Sequence, residues 1–334
     1  MSPLRTIARS YVLRRILLAV VVMWAAFTLV FIVLYLVPGD PALLIAGGDG
    51  GLQATPEVLA QIRHEYGFDQ PLFFQYLHAL GGVVTGNLGE SYQMKQPVTT
   101  LLAAEVGSTS ALAFFALGLA IVIGVLLGGA AVYTRSRPLS RLLDALPPIG
   151  ASLPAFWVGL VLMQFLSFAI PIFPSAGDDG FASFVLPGAT MAILGSASIA
   201  QVFARALRTS YAEPYVEVAR AKGAGRFRVF LVHAARNALL PSITVAGILV
   251  ANLFAASTIT EMIFSRNGLG LALDKAVQSK DIPMVEGAVL VIAGVYVLSN
   301  LVVDLVYPIV DPRLRTRRGR IKVLRTEQEA VAVS

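Results

Sequence analysis

Residues 16–37 run for 22 positions without a charged side chain, and five further apolar segments follow them, at about 111–133, 145–173, 181–204, 241–260 and 284–307. A helix that crosses the hydrocarbon core of a bilayer needs about 20 residues. Backbone N–H and C=O groups find no water there, so each segment must be a helix that pairs its own backbone, not an isolated strand. Pro147, Pro148 and Pro154 interrupt the third segment and Pro187 stands near the start of the fourth. A proline removes a helical hydrogen bond, so these predict kinks or late helix starts. The expected fold class is an all-α polytopic membrane protein with six transmembrane helices.

Composition points the same way. Charged residues make up 14% of the 334 residues and hydrophobic ones 56%, where a soluble domain carries about 25% charge. The chain has no cysteine, which excludes a disulfide scaffold, a thiolate metal site and a cysteine nucleophile. Its three histidines, His64, His78 and His233, are too few and too scattered for a His-rich metal site. There is no Gly-Lys-Ser/Thr P-loop, no Gly-x-Ser-x-Gly and no His-Glu-x-x-His, so neither ATP hydrolysis nor hydrolase chemistry by these routes is expected of this chain. The first segment has a basic front (Arg5, Arg9, Arg14, Arg15). It is longer than the 7–15 apolar residues of a signal peptide and no A-x-A site follows, so it is expected to remain as an anchor.

Basic residues set the expected orientation. Residues 1–15, 134–144, 205–240 and 308–334 hold four, three, seven and seven Lys/Arg, 21 of the 26 in the chain. The alternate segments hold only Arg63, Lys95, Arg266, Lys275 and Lys280. Both termini are therefore expected in the cytoplasm of a multi-pass plasma-membrane protein. The expected organisation is a cytoplasmic N-terminus and first span at 1–37, an external insert at 38–110, and a five-helix core at 111–308. A basic, polar cytoplasmic tail at 309–334 completes it, solvated near anionic headgroups and with no nucleic-acid role. Within the insert, Thr55-Pro56-Glu57 is a helix-start signature. Glu286 is expected at the outer edge of the last span, in water. Gly124-x-x-x-Gly128 allows close helix approach, either inside one bundle or between subunits.

Between Arg205 and Pro241 the apolar character breaks off. Inside this interruption lies Glu217-Val218-Ala219-Arg220-Ala221-Lys222-Gly223. Ala219 and Ala221 form a small surface that a partner can approach closely, and Gly223 permits a sharp helix end. The segment resembles the Glu-Ala-Ala-x-x-x-Gly loop of ABC importer permeases, with Val218 in place of the first alanine. The flanks narrow the resemblance. Tyr215-Val216 precedes the loop, and His233-Ala234, then Arg236-Asn237-Ala238-Leu239-Leu240-Pro241, follow at the longer spacing of the oligopeptide/dipeptide/nickel class. Further blocks are similar to the B-type subunit of that class: Pro38-Gly39-Asp40-Pro41, Gly86-Asn87-Leu88-Gly89-Glu90-Ser91, Ser152-Leu153-Pro154-Ala155-Phe156-Trp157, Glu261-Met262-Ile263-Phe264 with Gly268-Leu269-Gly270, and Asp311-Pro312-Arg313. Asn87 stands where the family usually has Asp, which touches only a local turn.

The resemblance implies a permease with the type I importer fold and the insert between helices 1 and 2. It implies transport of di- or oligopeptides, or of nickel, glutathione or another small solute. ATPase coupling through 213–230 would fall to Tyr215, Glu217, Ala219, Arg220, Ala221, Lys222 and Gly223, flanked by His233, Arg236, Asn237 and Pro241. It further implies a second homologous permease, two ATP-binding subunits or one fused ATPase, an external solute-binding protein, and ATP and Mg on the ATPases with no cofactor on this chain. Glu261 and Asn252 are candidates for the substrate path, Glu261 alternatively a cap of external structure. An ion-coupled secondary transporter needs ionisable groups at mid-membrane, and the span centres are almost free of them. An intramembrane enzyme needs a catalytic dyad within a span, and all three histidines lie outside the spans.

Overall fold

The computed structural model describes residues 3–36, 41–47 and 55–310; the Pro38-Gly39-Asp40 block and the chain from Asp311 onward lie outside the described residues. Those residues form helices, with one isolated bridge between Glu90 and Pro97 and no strand among the described residues. In chain order the helices are α1 (Pro3–Leu36), α2 (Pro41–Gly47), α3 (Pro56–Glu65), α4 (Leu72–Thr85), α5 (Val98–Tyr133) and α6 (Arg137–Ser152). Then come α7 (Ala155–Met163, continued by a π-helical turn Gln164–Ala169), α8 (Ala182–Tyr211) and α9 (Pro214–Ala221). The last are α10 (Arg226–Arg228, continued by a π-helical segment Val229–Ala235), α11 (Arg236–Ile263), α12 (Leu269–Gln278) and α13 (Ile282–Val310).

Among the described residues, five helical stretches are long and apolar enough to cross a membrane: Arg14–Leu34, Val98–Tyr133, Ala182–Tyr211, Arg226–Ile263 and Ile282–Val302. The third expected span is not one rod. It is a pair, Arg137–Ser152 and Ala155–Ala169, bent by 106°. Pro154 opens the second piece, and the residue before a proline is driven out of the helical region; Leu153 is extended, at φ −82° and ψ 137°. The second span starts at Val98, earlier than expected and inside the stretch 38–110 assigned to the insert. Glu105, Ser108, Thr109 and Ser110 dilute its first turns, so hydropathy misses them although the helix is continuous. Helix also reaches into the polar interruption from both sides, to Tyr211 and from Arg226.

The chain divides into two compact units. Residues 1–112, 163–187 and 254–297 form the first. Its core is Val98, Leu102, Leu269, Ala276, Met284, Val285 and Ala288, with Val30 and Leu34 packed against it. Gly287 is required there, since a Cβ would stand 2.5 Å from Val98 Cγ1. The α1 span is almost wholly uncovered by protein, 6% buried, as a helix facing acyl chains should be. α4 carries no charged residue and exposes Leu72, Phe73, Phe74 and Leu77. It lies against the α1 span, not clear of it: Trp24 Nε1 donates to Tyr76 Oη at 2.9 Å, and the Tyr76 ring packs on Phe27 and Phe31 at 5.6 and 5.3 Å. Part of the expected insert therefore has the apolar surface of a membrane helix.

Residues 113–162, 188–253 and 298–334 form the second unit. Here the glycine pair of α5 packs internally. A Cβ on Gly124 would fall 2.7 Å from Ile199 Cβ, and one on Gly128 would fall 2.6 Å from the Ala200 carbonyl oxygen, so both bring α5 close to α8. Ala120, Ala192, Ile199, Ala246 and Leu249 fill the seam. Phe203, Leu207, Ala234, Ala235 and Ala238 form a second cluster that seats the π-helical segment on α8.

In the first unit, Asp281 ties the turn before α13 to residues 91–93. Its carboxylate, 2% exposed, accepts from Ser91 Oγ at 2.5 Å and from the backbone N–H of Tyr92, Gln93 and Met284 at 3.1, 3.3 and 3.4 Å. Removing it strands buried donors, each worth about 1–3 kcal/mol. Asp281→Ala is expected to lower the thermal midpoint of the detergent-solubilised protein by several degrees, while Ser91→Ala, which removes one donor only, shifts it less; equal midpoints for wild type and Asp281→Ala refute this account.

Candidate functional site

α9 is built to be short. Glu213 is extended at its N-terminal boundary and Pro214 occupies the first turn, where its missing N–H costs nothing. At the other end the N–H of Gly223 donates to the Arg220 carbonyl at 2.9 Å, and the N–H of Ala224 donates to the Ala219 carbonyl at 3.0 Å. These two bonds close a Schellman turn, which requires a left-handed residue; Gly223 supplies it at φ +84°. Among the described residues, apart from its own chain neighbours, nothing lies within 4 Å of where a Gly223 Cβ would be. The glycine is therefore required by the turn, and the space beside it is free for another molecule.

The structure brings three of the sequence-singled residues together. Tyr215 Oη accepts from Asn237 Nδ2 at 3.0 Å and reaches the carbonyl of His233 at 3.5 Å. α9 is thereby tied to the π-helical segment and to the first turn of α11. Val216, fully buried, is the apolar anchor of the same helix. By contrast Glu217, Arg220, Ala221, Lys222 and Gly223 are exposed, Ala219 is half-buried, and Arg236 and Pro241 are exposed outside this cluster. The chain thus holds α9 by Tyr215 and Val216 and leaves its C-terminal half uncovered.

Two supports escaped the sequence reading. The Arg226 guanidinium lies 4.4 Å over the Tyr133 ring and donates to the Tyr133 carbonyl, fastening the start of α10 to the end of α5. Arg208 makes a two-pronged ion pair with Asp144, at 2.8 and 2.6 Å, joining α8 to α6. Both link residues far apart in sequence, and a basic residue in a polar stretch carries no local sign of its partner.

The two path candidates differ. Asn252 is exposed. Glu261 is wholly buried. Its Oε2 accepts from the Gly270 N–H at 2.7 Å, so it caps the chain that wraps round it. A Cβ on Gly268 would stand 2.4 Å from the Glu261 Cδ and one on Gly270 2.2 Å from the Thr258 carbonyl oxygen. The glycines of Gly268-Leu269-Gly270 are thus explained by close approach. Beside them Arg266, 3% exposed, donates to Ser183 Oγ at 2.9 Å and stacks 3.7 Å over Phe184. Burial pulls its guanidinium below the ordinary arginine value, against the opposing charges of Asp178 and Glu261. Among the described residues, no group of three His, Asp or Glu side chains is placed to hold a metal ion.

Residues 84–316 match the family described as binding-protein-dependent transport system inner membrane component, and residues 8–113 match its N-terminal membrane region. The chain belongs to this family of ABC importer permeases. It is 35% identical over 310 residues to the glutathione transport system permease protein GsiC of Salmonella typhimurium, covering 92% of this chain and 99% of that one. It is 34% identical over 314 residues to a putative peptide transport system permease protein of Brucella abortus, covering 92% and 99%. An inward-facing structure of the MetNI methionine ABC transporter shares the fold, with a TM-score of 0.53 and 22% identity over 65% of this chain and 100% of that chain. The permease is a multi-pass membrane protein, and like its relatives it is a transport subunit.

Tyr215→Phe removes the acceptor of the Asn237 bond and keeps the ring. Loss of a bond worth about 1 kcal/mol is expected to speed amide hydrogen exchange across 214–221 about fivefold with little change in global stability. Unchanged exchange in those residues contradicts the tether.

Proposed function

We propose that this permease imports di- or oligopeptides, forming the path with a second homologous permease. ATP-binding subunits, two or one fused, dock on α9 and carry the ATP and Mg; this chain carries no cofactor. An external solute-binding protein delivers the cargo. The observation that carries the coupling assignment is the division within α9: Tyr215 and Val216 hold it, while Glu217, Arg220, Ala221, Lys222 and Gly223 stand free of the chain. A helix anchored at one end and uncovered at the other transmits a push as a rigid element. The excess of basic residues in alternate segments supports a cytoplasmic position for both termini, with α9 on the side of the plasma membrane where ATP is available. Support for peptide cargo comes from the two relatives; glutathione is itself a tripeptide, so both names describe short peptides. Glutathione is the second reading of the cargo.

The test uses uptake and co-purification together. Gly223→Asp is expected to leave the chain inserted and to reduce ATP-dependent uptake by at least tenfold. Aspartate, like asparagine, is accommodated in left-handed backbone at a cost of about 1 kcal/mol, so the turn stays, and the variant adds a charge where docking needs open space. Gly223→Asn tolerates left-handed backbone yet fills the same space, so it is expected to lose ATPase subunits on purification as well. Normal uptake by Gly223→Asp sinks the docking assignment. Uptake that follows an ion gradient and ignores ATP sinks the importer reading altogether.

A further inference from the structure

The first unit holds a half-open cavity of about 810 Å³ that the transport reading leaves unused. Ligand sites for small molecules measure about 300–1,000 Å³ and combine apolar walls with a few convergent polar groups. This one has both. Phe31, Leu34, Val285 and Leu290 supply apolar lining from α1 and α13. Tyr66, Phe68 and Tyr92 form a three-ring cluster at the wall. Tyr66 and Phe68 stack at 5.9 Å with planes 15° apart, and Tyr92 stands edge-on to both, at 5.8 and 6.3 Å.

Glu286 lines the same cavity. It is half-buried, which corrects the expectation of a carboxylate in open water. Its neighbour Asp281 is saturated by four donors. Glu286 makes no hydrogen bond or ion pair among the described residues, although Arg63 and Lys280 also line the cavity. Its charge nevertheless reaches the rings: the Tyr92 phenol is held above its ordinary value by burial first, then by Glu286 and Asp281. Tyr92 therefore stays neutral and keeps its proton to donate. A half-buried carboxylate without a partner is costly to maintain. A carboxylate beside aromatic faces is the chemistry that holds organic ammonium ions.

We propose that this cavity binds an organic ammonium group carried on a molecule with an apolar portion, Glu286 supplying the counter-charge and Tyr66, Phe68 and Tyr92 the surrounding rings. Two sources carry that chemistry: the free amino terminus of a short peptide, and the ethanolamine headgroup of a membrane lipid. The peptide arm rests on the cargo reading above; the lipid arm does not.

The experiment takes the full chain with its partner subunits in nanodiscs of phosphatidylglycerol, which carries no ammonium. One arm measures binding of Leu-Leu and of N-acetyl-Leu-Leu by calorimetry. The other dopes the discs with phosphatidylethanolamine and follows retained lipid by native mass spectrometry. Saturable binding of either amine is expected. In the peptide arm acetylation weakens it at least tenfold. In either arm Glu286→Gln, which keeps the side-chain shape, weakens it at least tenfold, and Phe68→Leu weakens it severalfold. Retained phosphatidylethanolamine that depends on Glu286, with no peptide binding and no peptide uptake, supports the site and overturns the cargo reading. The proposal is overturned if neither amine binds, or if the bound amine is held equally by wild type and by both variants, each folded by its thermal midpoint.

Discussion

A bilayer leaves a helix one way to satisfy its backbone, by bonding to itself, and most of this permease follows from that constraint. Within the spans the side chains have little to do but pack, so small residues govern the seams. Gly124, Gly128 and Ala120 let α5 meet α8 at backbone distance, and a single methyl group at either glycine would collide with α8. Polar contacts that define one arrangement over another are pushed to helix ends, where carbonyls and N–H groups fall free. Asp281 gathers the turn before α13, Glu261 the chain before α12, and Tyr215 the chain between α8 and α11. Each belongs to a short polar segment between long apolar ones.

This explains what the sequence disclosed and what it withheld. Long charge-free runs were legible because hydropathy is a property of a window and needs no partner. The end of α9 was legible because a left-handed turn asks for glycine at one position, and Gly223 fills it. The internal use of the Gly124–Gly128 pair was one of two readings, and only the position of Ile199 and Ala200 decides between them. The early start of α5 was hidden by Glu105 and its hydroxyl neighbours, whose burial depends on residues elsewhere: Thr109 is 2% exposed because its Oγ1 accepts from the Leu269 N–H at 2.9 Å. Pro147, Pro148 and Pro187 sit inside continuous helices, whereas Pro154 accompanies a 106° bend. Burial of Glu286 was not legible at all, since a carboxylate at the end of a span looks solvated until the rest of the cavity wall is in place.

The balance between Glu261 and Glu286 shows how similar residues acquire different standing. Both are carboxylates at the end of an apolar helix. Glu261 is enclosed by its own chain, and the glycines at 268 and 270 exist so that backbone can close over it. Such a residue organises structure. Glu286 faces empty volume with aromatic rings beside it. Sequence position cannot separate the two cases; what each carboxylate meets in the fold does.

Coupling of α9 to the body of its unit rests on few contacts, and their sizes matter. Full burial of Val216 is worth about 1.5–3 kcal/mol. The Tyr215–Asn237 bond adds about 0.5–1.5 kcal/mol, and the stacking of Arg226 on Tyr133 about 0.5–1 kcal/mol in a water-exposed setting. Together these exceed thermal energy severalfold, so α9 moves with α11 and the end of α5 and does not swing independently. The uncovered end of α9 is the one that leads into the turn at Gly223.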